Sequence, residues 1–280
     1  MKTILLPTDF SDNSLNAIDY AMKMFKNQTC NFYIMNVQRV GSYISDDLMM
    51  ANPTGVVYDT VVEAAKVSVD KLIAKLVKTY KNEKHEFFSL VDYDNFTDAI
   101  NQAVINNDVN LIIMGTKGAS GLSKKLFGSN TVKVLQHCEV PVLVIPDEYE
   151  FTGLQDVAFT TSFQSLYNMQ ELRLLDEIIA KNSSKLSVLH VVLENSDPKE
   201  LFRDVDFFNE HFEDVSYKMI ETNVQDIFDA IQGYITNNDI KLIAMINKKH
   251  SFLETVFVEH QAETFAFNIN IPLLVLPKRE

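Results

Sequence analysis

Short apolar runs alternate with longer amphipathic segments along the whole chain. In the first half, the apolar runs cover residues 3–6, 31–37, 86–91, 111–114 and 140–145. Near-continuous apolar runs of this length predict strands that are buried on both faces. Such burial is typical of parallel strands joined by helical crossovers.

The amphipathic segments between these runs predict helices at residues 13–26, 60–81, 95–107 and 130–137. Ser11 or Asp12 is expected to cap the first helix, because a short side-chain oxygen can accept from its free N–H groups. Five strands with intervening helices make a doubly wound, Rossmann-like α/β fold. In such sheets ligands bind beyond the carboxyl ends of the strands, where the strand order reverses.

The second half of the chain repeats the first. Residues 98–146 align with residues 229–277 at a constant offset, and 16 of the 49 aligned pairs are identical. The strand patterns ahead of this block also correspond. We therefore expect two tandem copies of one five-stranded parallel α/β sheet. The predicted domains are residues 1–147 and residues 154–280, joined by a short polar linker.

A glycine-rich stretch follows the fourth apolar run. It contains Gly115, Gly118 and Gly128, and its last glycine stands at the start of a predicted helix. Glycine lets the backbone approach a ligand closely. A glycine-rich turn between a strand and a helix directs backbone N–H groups toward an anion. The stretch therefore predicts a phosphate site to which Lys117 adds positive charge, the alternative for the lysine being a solvated loop.

Two further strand ends are expected at the same edge of the sheet. Asp9 follows the first strand, where its carboxylate could accept hydrogen bonds from a purine amino group or a ribose hydroxyl. A helix cap is the alternative role for this residue. The backbone of Val37, at the end of the second strand, is suited to pair with an adenine edge. Together these ends predict an adenine-nucleotide site.

The combined pattern resembles the universal stress protein family. The glycine spacing, the strand Val-Pro-Val-Leu-Val-Ile and the opening Ile-Leu-Leu-Pro-Thr-Asp-Phe-Ser are similar to that family, and the resemblance covers both halves. It implies an adenine nucleotide alpha hydrolase-like fold that binds ATP or AMP. With Lys117 added for its charge, the predicted ATP-binding residues are Pro7, Thr8, Asp9, Val37, Gly115, Lys117, Gly118, Gly128, Ser129, Asn130 and Thr131. Asn130 departs from the family pattern, in which a small apolar residue is common.

The second copy lacks the residues that would bind the nucleotide. At the positions of Asp9, the three glycines and Ser129 it has Ser162, Ile246, Lys249, Glu259 and His260. Side chains at former glycines block close approach, and Glu259 would place negative charge beside a phosphate. We therefore expect ATP in the first copy alone. Lys248, Lys249, His250 and His260 form either an exposed polar loop or a different anion or metal site.

Composition narrows the choice of partners. The net charge is −13, of which residues 1–146 contribute −1 and the remainder −12. Such an acidic chain is a poor binder of nucleic acid. No apolar stretch reaches the ~18 residues that a membrane helix needs. Cys30 and Cys138 are the two cysteines, so no disulfide framework is expected and the location predicted is the cytoplasm.

The sequence offers no catalytic residue that we can name. It has no phosphate-binding loop of the Gly-x-x-x-x-Gly-Lys-Ser/Thr type, and no side chain is identifiable as a general base. The predicted function is therefore a non-enzymatic, ATP-binding stress-response or regulatory module. The alternatives are an interaction scaffold in which the nucleotide is incidental, and a slow ATP hydrolase with Mg²⁺ held near Asp9.

Assembly is predicted from the last strand of each copy. Residues 142–145 and 273–276 are apolar and are expected at sheet edges, where exposed strands invite pairing. In the family these strands pair between subunits. The resemblance therefore implies an internal pseudo-dimer of the two copies, and association of two chains into a homodimer. Residues 41–57 are expected to form a long loop near the site, either a lid or a disordered surface loop.

Overall fold

The chain forms an α/β fold around one ten-stranded sheet in the computed structural model. The structure describes residues 1–38, 54–116, 128–161, 167–192, 201–222, 227–247 and 270–277. The strands are β1 (Lys2–Pro7), β2 (Cys30–Val37), β3 (His85–Asp92), β4 (Leu111–Gly115), β5 (Val142–Ile145), β6 (Asp156–Thr161), β7 (Lys185–Val192), β8 (Val215–Glu221), β9 (Leu242–Asn247) and β10 (Leu273–Pro277).

Seven helices accompany these strands in the described part of the chain. They are α1 (Asp12–Met24), α2 (Thr54–Tyr80), α3 (Phe96–Asn106), α4 (Ser129–His137), α5 (Met169–Asn182), α6 (Leu201–His211) and α7 (Ile227–Asn237). The predicted cap of α1 is confirmed at Ser11, whose side chain accepts from the N–H of Ser14. None of the helices in the described residues is long and apolar enough to cross a membrane.

The strand order is β3-β2-β1-β4-β5-β10-β9-β6-β7-β8. We call β1–β5 with α1–α4 the first half, and β6–β10 with α5–α7 the second half. Each half has the same internal order, and every pair of neighbours within a half is parallel. The doubly wound parallel fold predicted from the apolar runs is therefore confirmed.

The two halves meet through their last strands. β5 and β10 pair antiparallel, with Leu143 opposite Leu274 and Val144 opposite Leu273. All four side chains are buried. The strands that were expected to lie at sheet edges thus cover one another, and the ends of the continuous sheet are β3 and β8. One apolar core lies on each face of the sheet, and both cores contain residues of the two halves.

Strand register defines which residues of the two halves correspond. In each half the first strand pairs with the second and the second with the third, at equivalent places. Ile4, Phe32 and Phe87 thereby correspond to Val157, Leu186 and Val215. Counting along each strand extends the correspondence to the residues at the strand ends.

The linker after β5 packs onto the first half and contacts the second. The rings of Tyr149 and Phe151 lie 6.2 Å and 5.2 Å from the ring of Tyr20 on α1. Asn16, also on α1, donates to the carbonyl of Tyr149 at 3.2 Å. The Tyr149 hydroxyl in turn donates to the carbonyl of Lys241 at 3.4 Å. Tyr20 is buried in this contact, and burial raises its pKa well above the ordinary value.

An ion pair also joins the two halves. Lys2 at the start of β1 lies 2.6 Å from the carboxylate of Glu177 on α5. Partial burial alone would raise the pKa of Glu177, but the hydrogen bond and charge of Lys2, with smaller contributions from Lys181 and Arg173, hold it below its usual range. The pair is therefore favourable in its ionised form.

Two predicted boundaries were wrong. α2 begins at Thr54, so residues 54–57 are helical, and the predicted loop 41–57 is shorter at that end. Gly55 thus lies in the first turn of α2. Glycine costs about 1 kcal/mol in a helix interior. The first turn of a helix differs from the interior, because its N–H groups have no hydrogen-bond partner within the helix. Residues 39–53, which include the rest of that loop, lie outside the described part.

Candidate functional site

The carboxyl ends of β1, β2 and β4 lie at one edge of the first half. β1 lies between β2 and β4, so the chain passes to opposite sides of β1 as it builds the sheet. This is the switch in strand order at which doubly wound sheets bind ligands. The start of α4 lies at the same edge, because the N–H of Gly128 donates to the carbonyl of Thr116, just after β4, at 2.6 Å.

Thr8 is the fixed point after β1. Its N–H donates to Met35 in β2 at 2.8 Å, and its carbonyl accepts from the Asn36 side chain at 2.7 Å. Its hydroxyl lies 2.9 Å from that of Ser14 on α1, and it accepts from the N–H of Phe10 at 3.0 Å. These bonds hold the chain after β1 against both β2 and α1.

Asp9 is exposed and faces solvent at this edge. Its Oδ1 accepts from the N–H of Ser11 at 3.1 Å and from the Ser11 hydroxyl at 2.6 Å. Phe10, between them, has a positive φ of 64°, which is uncommon for a bulky residue. Backbone strain of this kind costs of order 1–3 kcal/mol and clusters at binding sites. Asp9 therefore supports the cap of α1, and it also presents a carboxylate held in place.

The end of β2 carries a polar network that the sequence reasoning missed. Asn36 is buried, and its Oδ1 accepts from the side chain of Gln38 at 2.5 Å. The N–H of Gln38 donates to the carbonyl of Asp92 at the end of β3 at 2.8 Å. Val37 lies between these two residues and is half-buried. The sequence signal for this network was Asn36, a single asparagine near the end of a largely apolar strand.

Gly115 ends β4 directly beneath Asn13 of α1. An added Cβ at Gly115 would lie 1.9 Å from Oδ1 of Asn13 and 3.0 Å from its backbone oxygen. Asn13 also donates to the carboxylate of Asp147, after β5, at 3.3 Å. A larger residue here would have to displace the Asn13 side chain, whether or not a ligand approaches. Asn13 could not be identified from the sequence, because its role depends on this close approach.

Gly128 is the N-cap residue of α4, and no side chain caps this helix. Its φ of −63° is open to any residue, so the backbone conformation does not demand glycine. Thr131 is buried, and its hydroxyl donates to the carbonyls of Gly115 at 3.2 Å and Thr116 at 3.3 Å. The helix start is thus fixed to the end of β4. An N-terminus without a side-chain cap is favourable for an anion.

The structure brings most of the predicted site residues to this one edge. They are Pro7, Thr8, Asp9, Val37, Gly115, Gly128, Ser129, Asn130 and Thr131. Ser129 is exposed and Asn130 is half-buried in the first turn of α4. Lys117 and Gly118 lie outside the described residues.

The same edge of the second half is filled differently. Thr161 corresponds to Thr8, and its hydroxyl lies 2.7 Å from Nδ1 of His190, which corresponds to Asn36. Burial lowers the pKa of His190 to about 4, so the imidazole is neutral. Ile246 replaces Gly115 and is fully buried. A buried isoleucine and a neutral histidine do not make a site for a phosphate.

The second half also contains an aromatic cluster next to the start of α5. Tyr167 lies just before the N-cap of α5, and its ring lies 5.4 Å from that of Phe159 and 5.8 Å from that of Phe208. The other predicted differences, at Ser162, Lys248, Lys249, His250, Glu259 and His260, fall outside the described residues.

Neither a metal cluster nor a reactive thiol is present in the part of the chain that the structure describes. No group of three or more His, Cys, Asp or Glu side chains there could hold a metal ion. Both cysteines are buried and free, and burial raises the pKa of Cys30 to about 11 and that of Cys138 to about 12. Both therefore behave as small apolar residues.

Comparisons with known proteins agree on one family. The model of the universal stress protein family matches residues 1–146. The universal stress protein YxiE of Bacillus subtilis is 30% identical over 150 residues, which cover 51% of this chain and 97% of that protein. A universal stress protein of Methanocaldococcus jannaschii is 26% identical over 144 residues, covering 51% of this chain and 81% of that one.

The fold of both halves together is also found in a solved structure. A universal stress protein from Archaeoglobus fulgidus aligns with 99% of this chain and 98% of its own length, at a TM-score of 0.73. The sequence identity is 17%, so this likeness concerns the fold.

Proposed function

The chain belongs to the universal stress protein family, and we propose that its first half is a non-enzymatic, adenine-nucleotide-binding regulatory module whose ligand is ATP. One observation carries the proposal. The fixed turn at Thr8 and Asp9 and the uncapped start of α4 lie at the same edge, beside the switch between β1 and β4. One end of this crevice thus offers a carboxylate and the other suits an anion.

Each end has a proposed partner on the nucleotide. Asp9 accepts hydrogen bonds from the ribose or the adenine amino group, and the backbone at Val37 contacts the adenine edge. Backbone N–H groups at Gly128, Ser129 and Asn130 receive the phosphates, with Lys117 and Gly118 completing the loop. A hydrogen bond to a charged group contributes roughly 1.5–3 kcal/mol. Three or four of them, less the cost of association, support an affinity near 1 μM.

Thr131 has a supporting role in this proposal. Its hydroxyl proton is directed to the carbonyls of Gly115 and Thr116, so it fixes the start of α4 against β4. Mg²⁺ is proposed to enter with the ATP phosphates, which supply oxygen ligands of the kind it prefers. No described side chain is placed as a general base, which favours a binding module over a hydrolase.

The second half is proposed to complete the fold without binding nucleotide. Its β10 covers β5, and its own carboxyl edge holds Ile246 and His190. We retain residues 1–147 and 154–280 as the proposed domains. The linker between them contacts both, through Tyr20 on one side and Lys241 on the other.

Calorimetry on a matched pair of variants tests the proposal. Asp9→Ala should weaken ATP binding by at least tenfold, because it removes the carboxylate beside the proposed ribose site. Ser162→Ala, at the corresponding position of the second half, should leave the affinity unchanged. Mass spectrometry of small molecules released from denatured, freshly purified protein should detect ATP or AMP. Equal affinity in both variants, or no binding at millimolar ATP with Mg²⁺, would overturn the proposal.

A further inference from the structure

A cleft of about 640 Å³ lies on the first half, at the edge of the sheet opposite the candidate nucleotide site. It is bounded by the ends of α1 and α2 and by the turns that lead into β2 and β3. Four lysines and one glutamate are among its lining residues: Lys23, Lys26, Lys81, Lys84 and Glu83. The lining therefore has a formal charge of +3 in a chain whose net charge is −13.

Hydrogen bonds join the two turns beside this cleft. The Asn82 side chain donates to the carbonyl of Lys26 at 2.8 Å. Nε2 of His85 lies 3.1 Å from the carbonyl of Phe25. These carbonyls belong to the turn after α1, where negative partial charge would repel an anion. The Lys26 carbonyl is engaged by Asn82, and the two turns are held against each other.

The lysines differ in whether their side chains already form an ion pair or a hydrogen bond within the protein. Lys23 lies 2.7 Å from Asp19, and Nζ of Lys84 lies 3.4 Å from a backbone carbonyl. Within the described residues, Lys26 and Lys81 have no ion pair or side-chain hydrogen bond. Both are exposed. Two cationic side chains, one from the turn after each helix, are thus available to a ligand.

The helix dipole accounts for only part of this positive charge. Lysine in the last turn of a helix gains about 0.3–1 kcal/mol from the helix dipole. Lys23 of α1 has this position, as Lys181 of α5 has in the second half. Lys26, Lys81 and Lys84 follow the last turns of α1 and α2, in the turns that lead into β2 and β3. A last-turn lysine therefore does not by itself explain the number of lysines around the cleft.

We propose that this cleft binds a compact, multivalent phosphate anion. Its volume is within the roughly 300–1,000 Å³ of small-molecule sites, and lysine ammonium groups bind phosphate as point charges. A long polyanion such as duplex nucleic acid would extend over acidic surface beyond the cleft. Charges farther away than the ~8 Å Debye length at physiological salt are screened for a compact ligand. The site is distinct from the one proposed for ATP, because it lies at the other ends of the same strands.

Titration of the full chain with inorganic tripolyphosphate at physiological salt tests the proposal. Lys26→Gln/Lys81→Gln should weaken its binding at least tenfold. The control is Lys66→Gln/Lys75→Gln, which removes the same charge from exposed positions of α2 outside the cleft and should change the affinity less than twofold. Amide NMR shifts on titration should centre on residues 22–29 and 79–85.

Three outcomes would overturn it: no binding by the wild-type chain, equal weakening in both double variants, or shifts centred elsewhere. ATP affinity serves as an independent readout. Lys26→Gln/Lys81→Gln should leave the affinity for ATP at the candidate nucleotide site unchanged within twofold. The experiment thus distinguishes a cleft that does not bind phosphate from a candidate nucleotide site that does not bind ATP.

Discussion

The first and second halves share strand order and register, yet their carboxyl edges are chemically different. The first half has Asn36 and Gly115 at that edge, and the second has His190 and Ile246 at the same positions. Gly115 lies against Asn13 of α1, so packing accounts for a small residue at that position. Backbone conformation does not account for Gly128, whose φ suits any residue. The proposed ligand would account for Gly128, because this glycine stands at the uncapped start of α4.

The largest expected effect concerns the buried histidine of the second half. His190 has a pKa of about 4 in the folded chain, against an ordinary value of 6.5. Below pH 6.5 the unfolded chain binds a proton at this histidine that the folded chain does not bind. The free energy of unfolding therefore decreases as the pH is lowered from 6.5 to about 4. The total loss is on the order of 3 kcal/mol.

His190→Asn, which places the first-half residue at this position, should remove that part of the pH dependence. The measurement is urea unfolding of both proteins between pH 7 and pH 4. Because other carboxylates titrate in this range, the difference between the two proteins is compared. Parallel curves would show that burial of a neutral histidine does not distinguish the second half.

Two Gly→Ala substitutions, one in each half, should change the free energy of unfolding in opposite directions. Gly115→Ala places a methyl group against Asn13 and should destabilise the chain by about 2 kcal/mol, as overpacking does. Gly233→Ala, in α7, meets nothing within 4 Å and should stabilise it by about 0.5–1 kcal/mol. Urea unfolding at pH 7 compares the two. A neutral Gly115→Ala would refute the packing role assigned to that glycine.

The smallest effects concern two ion pairs that differ in exposure. Glu177→Gln breaks the partly buried pair with Lys2 between the halves and should cost about 1 kcal/mol. Lys23→Gln breaks the more exposed pair with Asp19 within α1 and should cost below about 0.5 kcal/mol. A double-mutant cycle with Lys2→Gln isolates the first value. A larger loss of stability in Lys23→Gln than in Glu177→Gln would show that the Lys2–Glu177 pair between the halves is the less important of the two.

The apolar runs predicted the fold well because buried parallel strands have a direct sequence signature. The ends of β1, β2 and β4 could be placed at one edge for the same reason. Contacts between distant segments left no such signature. Neither the approach of Asn13 to Gly115 nor the packing of Tyr149 on Tyr20 could be foreseen, since each depends on how α1 lies on the sheet. The early start of α2 also had no clear sequence signal, because its first turn contains Gly55.

The central claim is that one nucleotide binds per chain, in the first half. Calorimetric titration with ATP and Mg²⁺ tests it most directly, on the wild-type chain and on Gly128→Glu, which introduces the residue found at the second-half position 259. The account predicts one ATP per wild-type chain and at least a hundredfold loss of affinity in the variant. Two equivalents of ATP per chain, or an unchanged affinity in Gly128→Glu, would contradict it.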